Sequence, residues 1–207
     1  MRGSLSTAVR IQIFLFGMMF FSYFIHDTPH LRILAILCLL VIAFLMVGEK
    51  NLSEKLLGTI RSRKSVYSWT LIATIGAFIL AAYSRNEASL SIMPEQLLLF
   101  TPVAVSIGII EELMFRGWLF SHLSKWSSWT AVLISPLAHA AYKSLLFLSP
   151  YLPYQVDSWD LFIITFETGI FLGLTRLFSG SVWPALFAHA IFDLLIYGDQ
   201  PIPWWVF

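Results

Sequence analysis

Two adjacent glutamates and an arginine follow a stretch of the chain that carries no charge. Residues 96–110 contain no charged side chain, and Glu111, Glu112 and Arg116 come directly after them. A carboxylate inside a membrane-spanning helix costs about 2.5–3.5 kcal/mol on insertion scales, so two in succession indicate a function. On a helix, Glu112 and Arg116 are i,i+4 neighbours that can pair, whereas Glu111 points about 100° away. We therefore expect Glu112 and Arg116 to be structural and Glu111 to act in chemistry.

Three more polar side chains interrupt apolar segments in the second half of the chain. His139 lies near the middle of the predicted fifth membrane span, and His189 and Asp193 lie in the seventh. A lone histidine in a helix is more often a packing residue than a catalyst. However, Glu111 near the end of the fourth span and His189 near the start of the seventh must lie at the same side of the membrane. We therefore expect Glu111, His139, His189 and Asp193 to converge from three helices.

A carboxylate and two imidazoles near a membrane surface are suited to hydrolysis by an activated water. The glutamate can remove the proton of the water, and the other polar groups can hold the attacked carbonyl and its oxyanion. The same four side chains, Glu111, His139, His189 and Asp193, could instead bind a divalent metal such as zinc, which lowers the pKa of bound water. The sequence does not separate these two mechanisms. The zinc motif HExxH, the Gly-x-Gly-Asp of aspartyl intramembrane proteases and the rhomboid-like Gly-x-Ser-Gly are absent.

The composition is that of a membrane protein. Hydrophobic residues make up 58% of the chain and charged residues 12%, against roughly 25% charged in soluble domains. The mean hydropathy is +0.78. A formal net charge of +1 gives no support for a nucleic-acid partner. The single cysteine, Cys38, excludes an intramolecular disulfide and a cysteine-rich metal site.

The apolar runs predict an all-α, polytopic membrane helix bundle. A bilayer requires about 20 apolar residues per helix, and runs near that length are bounded by charged residues, Pro, Gly or Asn. They predict about seven transmembrane helices at 10–26, 31–48, 66–84, 96–119, 127–148, 161–178 and 182–198. No internal repeat and no linker long enough to separate two domains occurs. We therefore expect residues 1–207 to form a single membrane domain.

The distribution of basic residues predicts the orientation in the membrane. With the amino terminus in the cytoplasm, ten Lys and Arg residues lie on the inner side and three on the outer side, which satisfies the positive-inside rule. The inner residues are Arg2, Arg10, Lys50, Lys55, Arg61, Arg63, Lys64, Arg116, Lys125 and Arg176, and the outer ones are Arg32, Arg85 and Lys143. We expect an integral protein of the cell (plasma) membrane, in contact with the lipid bilayer.

The order of the polar motifs resembles a known family. Glu111-Glu112-x-x-x-Arg116, then His139, then His189-x-x-x-Asp193 look like the three motifs of the CPBP family, which includes the CAAX prenyl proteases and Abi-type intramembrane proteases. The resemblance covers about residues 95–196, which would be a catalytic helical core after variable amino-terminal helices at 1–94. It implies an intramembrane endopeptidase that cuts a membrane-associated protein or peptide precursor.

The resemblance also implies a role for each motif residue. Glu111 would be the general base, His139 would help to hold the water, and His189 with Asp193 would orient the water or stabilise the oxyanion. Glu112 with Arg116 would brace the helix.

The chain departs from the family pattern at two positions. Ser135 stands where an aromatic residue is common, and Pro136 follows it in the sequence. Asp193 stands where the family often has Asn, whose amide can donate to an oxyanion, whereas an ionised carboxylate cannot. Asp193 would therefore be protonated, orient His189 or ligate a metal.

Two other functions are compatible with the same residues. A non-enzymatic immunity or regulatory protein of the same fold could retain the polar cluster for packing. A proton-coupled carrier could use buried Glu and His as a proton relay, and would then be expected to show broken helices in two related halves.

Overall fold

The chain folds into α-helices, and no strand occurs in residues 6–148 and 157–201, which the computed structural model describes. The expectation of an all-α protein is confirmed. The helices of this part of the chain are α1 (Thr7–Phe24), α2 (Pro29–Val47), α3 (Leu52–Leu57), α4 (Arg63–Glu87), α5 (Phe100–Glu112), a π-helix (Leu113–Leu119), α6 (Phe120–Leu123), α7 (Ser128–Phe147), α8 (Ser158–Ser179) and α9 (Trp183–Tyr197).

Serine side chains start three of the long helices. The hydroxyl oxygens of Ser6, Ser62 and Ser127 accept backbone N–H groups of the first turns of α1, α4 and α7, at 3.3, 3.0 and 3.2 Å. Such caps satisfy donors that have no partner within the helix. α2 instead begins at Pro29 and ends before Gly48. These local signals define helices whose length suits a bilayer.

Five helices of the described residues, α1, α2, α4, α7 and α8, are long and apolar enough to cross a membrane. The other two predicted spans differ from the prediction. The segment predicted at 96–119 is a composite of the 13-residue α5 and the seven-residue π-helix. The last span is the 15-residue α9, about 22 Å long, which is shorter than a hydrocarbon core of about 30 Å. The count of seven is therefore approximate.

The helices group into two compact units. The first contains residues up to Lys55 and residues Trp118–Ile170, and in it α1 packs against α2 and α7, and α6 packs against α7. The second contains residues Leu56–Gly117 and the residues from Phe171 onward, and in it α9 packs against α4 and α5. The organisation as a single membrane domain stays a prediction.

The basic segment between α2 and α4 is mostly not helical. Only α3, with six residues, forms in it. The chain then leaves the helical conformation at Gly58, which has a φ of +81°. Glycine adopts this backbone conformation without the steric cost that other residues meet.

Candidate active site

Five of the six predicted site residues, all except His139, come together in the second unit, where α5 and α9 pack against each other. Glu111 and Glu112 are the last two residues of α5, and His189 and Asp193 lie on one face of α9. Glu111, Glu112 and Asp193 are 3%, 0% and 5% exposed. Buried carboxylates are costly unless they are paired and hydrogen-bonded, so their arrangement is the main feature of this site.

One side of the His189 ring is held by Glu112. The Nδ1 atom of His189 lies 2.9 Å from Oε1 of Glu112, and Nη1 of Arg116 donates to the same oxygen at 3.1 Å. The predicted pairing of Glu112 with Arg116 is present. Charge-assisted hydrogen bonds of this kind are stronger than neutral ones, so they fix the ring plane of the histidine.

The other side of the His189 ring faces two carboxylates. Its Nε2 atom lies 3.6 Å from Oδ2 of Asp193 and 3.9 Å from Oε2 of Glu111. Both distances are longer than a direct hydrogen bond, so Nε2 lies near both carboxylates without being hydrogen-bonded to either at these distances. An imidazole nitrogen and two carboxylates in this arrangement can hold and polarise a small polar molecule such as water.

Gly108 on α5 leaves space for the side chains of His189 and Asp193 on α9. A Cβ atom at position 108 would collide with Oδ2 of Asp193 and would lie 3.0 Å from Cδ2 of His189. Gly108 precedes Glu111 by three residues, so the two share a face of the helix. Sequence reasoning missed this residue, although a small residue one turn before a buried glutamate was a signal for it.

A π-helix follows the two glutamates immediately. It covers Leu113–Leu119 and includes Arg116. π-Helical turns are rare and occur frequently at functional sites. The sequence alone predicts a regular α-helix in this stretch, because no residue pattern distinguishes the two helix types here.

His139 belongs to the first unit, on α7. It is 3% exposed, and its ring lies 6.2 Å, centroid to centroid, from the ring of Tyr142. Ser135 and Pro136 are buried on the same helix, which runs through the proline. The role of His139 as a holder of the water stays a prediction.

A comparison with protein-family models gives a match over residues 93–195 with the type II CAAX prenyl endopeptidase Rce1-like family. The matched segment covers just under half of the chain and resembles the Rce1-like family. All six predicted site residues lie within the match: Glu111, Glu112, Arg116, His139, His189 and Asp193. No curated protein and no solved structure matches the chain.

The match with the Rce1-like family supports a general function. It indicates a CAAX-type intramembrane endopeptidase that acts on prenylated or membrane-associated proteins. The apolar helices α1, α2, α4, α7 and α8 agree with an integral membrane protein. The expectation that the chain resembles this family is therefore confirmed.

The role of Glu111, His139, His189 and Asp193 as metal ligands stays a prediction. Glu111, His189 and Asp193 have the donor chemistry of a zinc site. Among residues 6–148 and 157–201, however, no group of three or more His, Cys, Asp or Glu side chains is arranged to hold a metal ion. Glu112 already contacts Nδ1 of His189. No step proposed below passes through a metal.

Another buried carboxylate, which the sequence pattern did not reveal, lies in the first unit. The side chain of Glu49 is 1% exposed and pairs with Arg10 at 2.8 Å and with Lys55. Its Oε1 also accepts from Nε1 of Trp118 and lies 3.2 Å from Nε2 of His122. Burial raises the pKa of Glu49, but the bonds from Lys55 and Arg10 and the charge of His122 outweigh it and hold this pKa below its ordinary value.

Proposed function

We propose that this chain is an intramembrane endopeptidase that hydrolyses a peptide bond with water activated by Glu111. The supporting observation is the position of His189, whose Nδ1 is held by Glu112 while its Nε2 faces Glu111 and Asp193. A fixed imidazole between a structural carboxylate and two further carboxylates is an arrangement suited to acid–base catalysis.

Glu111 accepts the proton of the attacking water in this proposal. The hydroxide formed attacks the peptide carbonyl carbon and gives a tetrahedral oxyanion. Glu111 then returns the proton to the leaving amine as the C–N bond breaks. The cluster has more carboxyl groups than basic groups: the carboxyl groups of Glu111, Glu112 and Asp193 face one guanidinium and one imidazole. A carboxylate is therefore present to accept the proton at each stage.

His189 stabilises the oxyanion. In its cationic form both ring nitrogens donate hydrogen bonds, so Nδ1 can donate to Glu112 while Nε2 donates to the oxyanion. Asp193, 3.6 Å from Nε2, helps to orient the ring and favours its cationic form. His139 is proposed to hold the water from α7. Residues that fix the nucleophile and the oxyanion partner in advance lower the reorganisation needed in the transition state.

The substrate is proposed to be a prenylated or otherwise membrane-associated polypeptide, cut near the cytoplasmic surface. The family match supports this class of substrate. The excess of basic residues on the predicted inner side supports a cytoplasmic amino terminus, and a cell-membrane location is proposed with it. Whether the substrate carries a prenyl group is a separate question for the experiment.

The test is a comparison of peptide termini. Membrane and secreted proteins are analysed from cells that express the wild type or Glu111→Gln at matched levels. We expect a new terminus that appears with the wild type and disappears with the variant, because glutamine cannot accept the proton of the water. The same peptide, with and without a prenyl group, is then offered to the purified protein in liposomes.

Two controls make the result decisive. Circular dichroism and thermal unfolding establish that Glu111→Gln folds like the wild type. A second glutamate substitution outside the site, Glu54→Gln on the exposed face of α3, should leave the termini unchanged. Identical termini in all strains, together with a phenotype that survives Glu111→Gln, would contradict the proposal and favour an immunity or regulatory protein. A proton flux that Glu111→Gln abolishes, without any cleavage, would favour a carrier.

A further inference from the structure

Arg176 is a buried arginine that contacts the backbone of the π-helix next to the candidate site. It lies in the last turn of α8 and is 6% exposed. Its Nε donates to the backbone oxygen of Arg116 in the π-helix at 3.1 Å, and its Nη1 donates to the backbone oxygen of Gly180. One guanidinium therefore joins the π-helix that follows the glutamates to the turn that precedes α9.

The surroundings of Arg176 fix the position of its guanidinium. A Cβ atom at Gly58 would collide with the guanidinium, so this glycine, with its φ of +81°, packs directly against it. The chain next to Gly58 is in turn bonded to the start of α9, since the N–H of Val182 donates to the oxygen of Leu57 at 3.0 Å. Three chain segments thus meet at Arg176, all of them within the second unit.

A continuous series of contacts leads from Arg176 to His189. Nε of Arg176 binds the backbone of Arg116, Nη1 of Arg116 binds Oε1 of Glu112, and the same oxygen contacts Nδ1 of His189, at 3.1, 3.1 and 2.9 Å. The second contact of Arg176, with Gly180, lies at the turn that leads into α9, the helix that carries His189. Arg176 therefore binds the backbone of the segment that follows Glu112 and the backbone of the turn that precedes the helix of His189.

We propose that Arg176 is a positioning residue of the hydrolase, which sets the contact between Glu112 and His189 by fixing the π-helix at Arg116 and the turn at Gly180. This inference rests on the function proposed above. An arginine is required because its planar guanidinium donates in several fixed directions, whereas the ammonium of a lysine is a single, more strongly hydrated charge. A lysine at position 176 cannot serve both carbonyls with the same geometry.

The experiment compares Arg176→Lys with a matched control, Arg85→Lys. Arg85 is also a buried arginine of the second unit, but it binds Asp199 and the backbone oxygen of Leu195, away from His189. Both variants are measured at a temperature at which circular dichroism shows them folded. We expect Arg176→Lys to lower kcat about ten- to a hundredfold with little change in KM, because small misplacements of catalytic groups have effects of this size. Arg85→Lys should keep the kcat of the wild type.

A second readout does not require activity. The ring signals of His189 are followed by NMR in protein labelled at histidine and are assigned with His189→Gln. We expect Arg176→Lys to shift these signals and the pH at which the ring titrates, and Arg85→Lys to leave both in place. If the wild type cleaves nothing, the proposed function fails, while the NMR comparison still tests the positioning role.

Three results would overturn the inference. One is an unchanged His189 spectrum in folded Arg176→Lys. Another is an equal loss of kcat per folded molecule in the Arg176 and Arg85 variants. If Arg176→Lys does not fold, Arg176→Gln, which keeps one donor group, is measured in the same way. Failure of both variants to fold would assign Arg176 to folding and not to positioning.

Discussion

Oε1 of Glu112 lies 2.9 Å from Nδ1 of His189 and 3.1 Å from Nη1 of Arg116, so a single carboxylate oxygen contacts both side chains. The second residue of the glutamate pair therefore does more than brace its own helix, since it also holds the histidine of α9. Glu111 faces the opposite nitrogen of the ring at 3.9 Å. The two adjacent glutamates thus lie at the two opposite ring nitrogens of one imidazole.

Glu111 and Glu112 should differ in what their loss removes. Glu111→Gln should lower turnover by about a hundredfold or more, the usual contribution of a general base, with a folded yield near that of the wild type. Glu112→Ala should lower the folded yield, because breaking a buried ion pair costs about 3–5 kcal/mol. Detergent-solubilised yield, thermal unfolding and turnover per folded molecule separate the two effects. Equal folded yields for the two variants would contradict this division of roles.

Gly108→Ala should disable the site while a similar change elsewhere is tolerated. The new methyl group would displace Asp193 and His189 from α5. Gly76→Ala on α4 is the matched control, because its methyl group would lie 3.5 Å from the ring of Phe171, an ordinary van der Waals contact. Turnover should fall in the first variant and persist in the second. Wild-type turnover in Gly108→Ala would show that the packing of α9 on α5 does not govern activity.

Asp193→Asn should retain turnover that Asp193→Ala loses. The amide oxygen of asparagine can still orient His189, and its NH₂ group can donate to an oxyanion, whereas alanine provides neither interaction. Turnover of the two variants on one membrane-associated peptide, normalised to folded protein, measures the difference. If Asp193→Ala is as active as the wild type, the contact at 3.6 Å between Asp193 and His189 has no catalytic role.

The Glu49 cluster should make the stability of the protein fall in acid in two stages. Burial lowers the pKa of His122 below its ordinary value of 6.5. The contribution of the neutral His122 to the free energy of unfolding is therefore complete above about pH 6.5. It declines below that pH, because the unfolded chain takes up the proton first. The pKa of Glu49 is held below its ordinary value of 4.5, so its contribution is complete above about pH 4.5 and is lost as the pH falls through the lower pKa of the folded state.

Thermal unfolding between pH 8 and pH 2 checks this dependence. His122→Gln should flatten the upper stage, because glutamine does not titrate, and Glu49→Gln should flatten the lower one. Glu87→Gln on the exposed end of α4 is the control and should leave both stages in place. An unchanged pH profile in His122→Gln would rule out the histidine as the source of the upper stage.

Removal of metal ions should leave turnover intact if Glu111 activates the water without a metal. Purified protein is dialysed against a chelator, and its metal content and turnover are measured before and after. We expect retained turnover with less than one metal ion per chain. Turnover that is lost on dialysis and restored by zinc alone would replace the glutamate mechanism with a metal-dependent one. Its candidate ligands would be Glu111, His139, His189 and Asp193.

The all-α fold class and the motif residues could be predicted from the amino-acid sequence. Apolar runs of bilayer length predict helices whatever the tertiary packing, because a backbone in lipid must satisfy its own hydrogen bonds. The i,i+4 spacings of Glu112 with Arg116 and of His189 with Asp193 follow from helix geometry alone. The cost of charge in an apolar segment predicts a function for Glu111.

Contacts between side chains of different helices could be identified only from the folded structure. Nothing local to Glu112 indicates that a histidine 77 residues later binds it, and nothing local to Gly108 shows that α9 passes there. The same holds for Arg176, whose partners at Arg116 and Gly180 depend on how α8 meets the π-helix and the next turn. Spacing along one helix determines which residues share a face, but the rotation and depth of two helices against each other result from the packing of all their side chains.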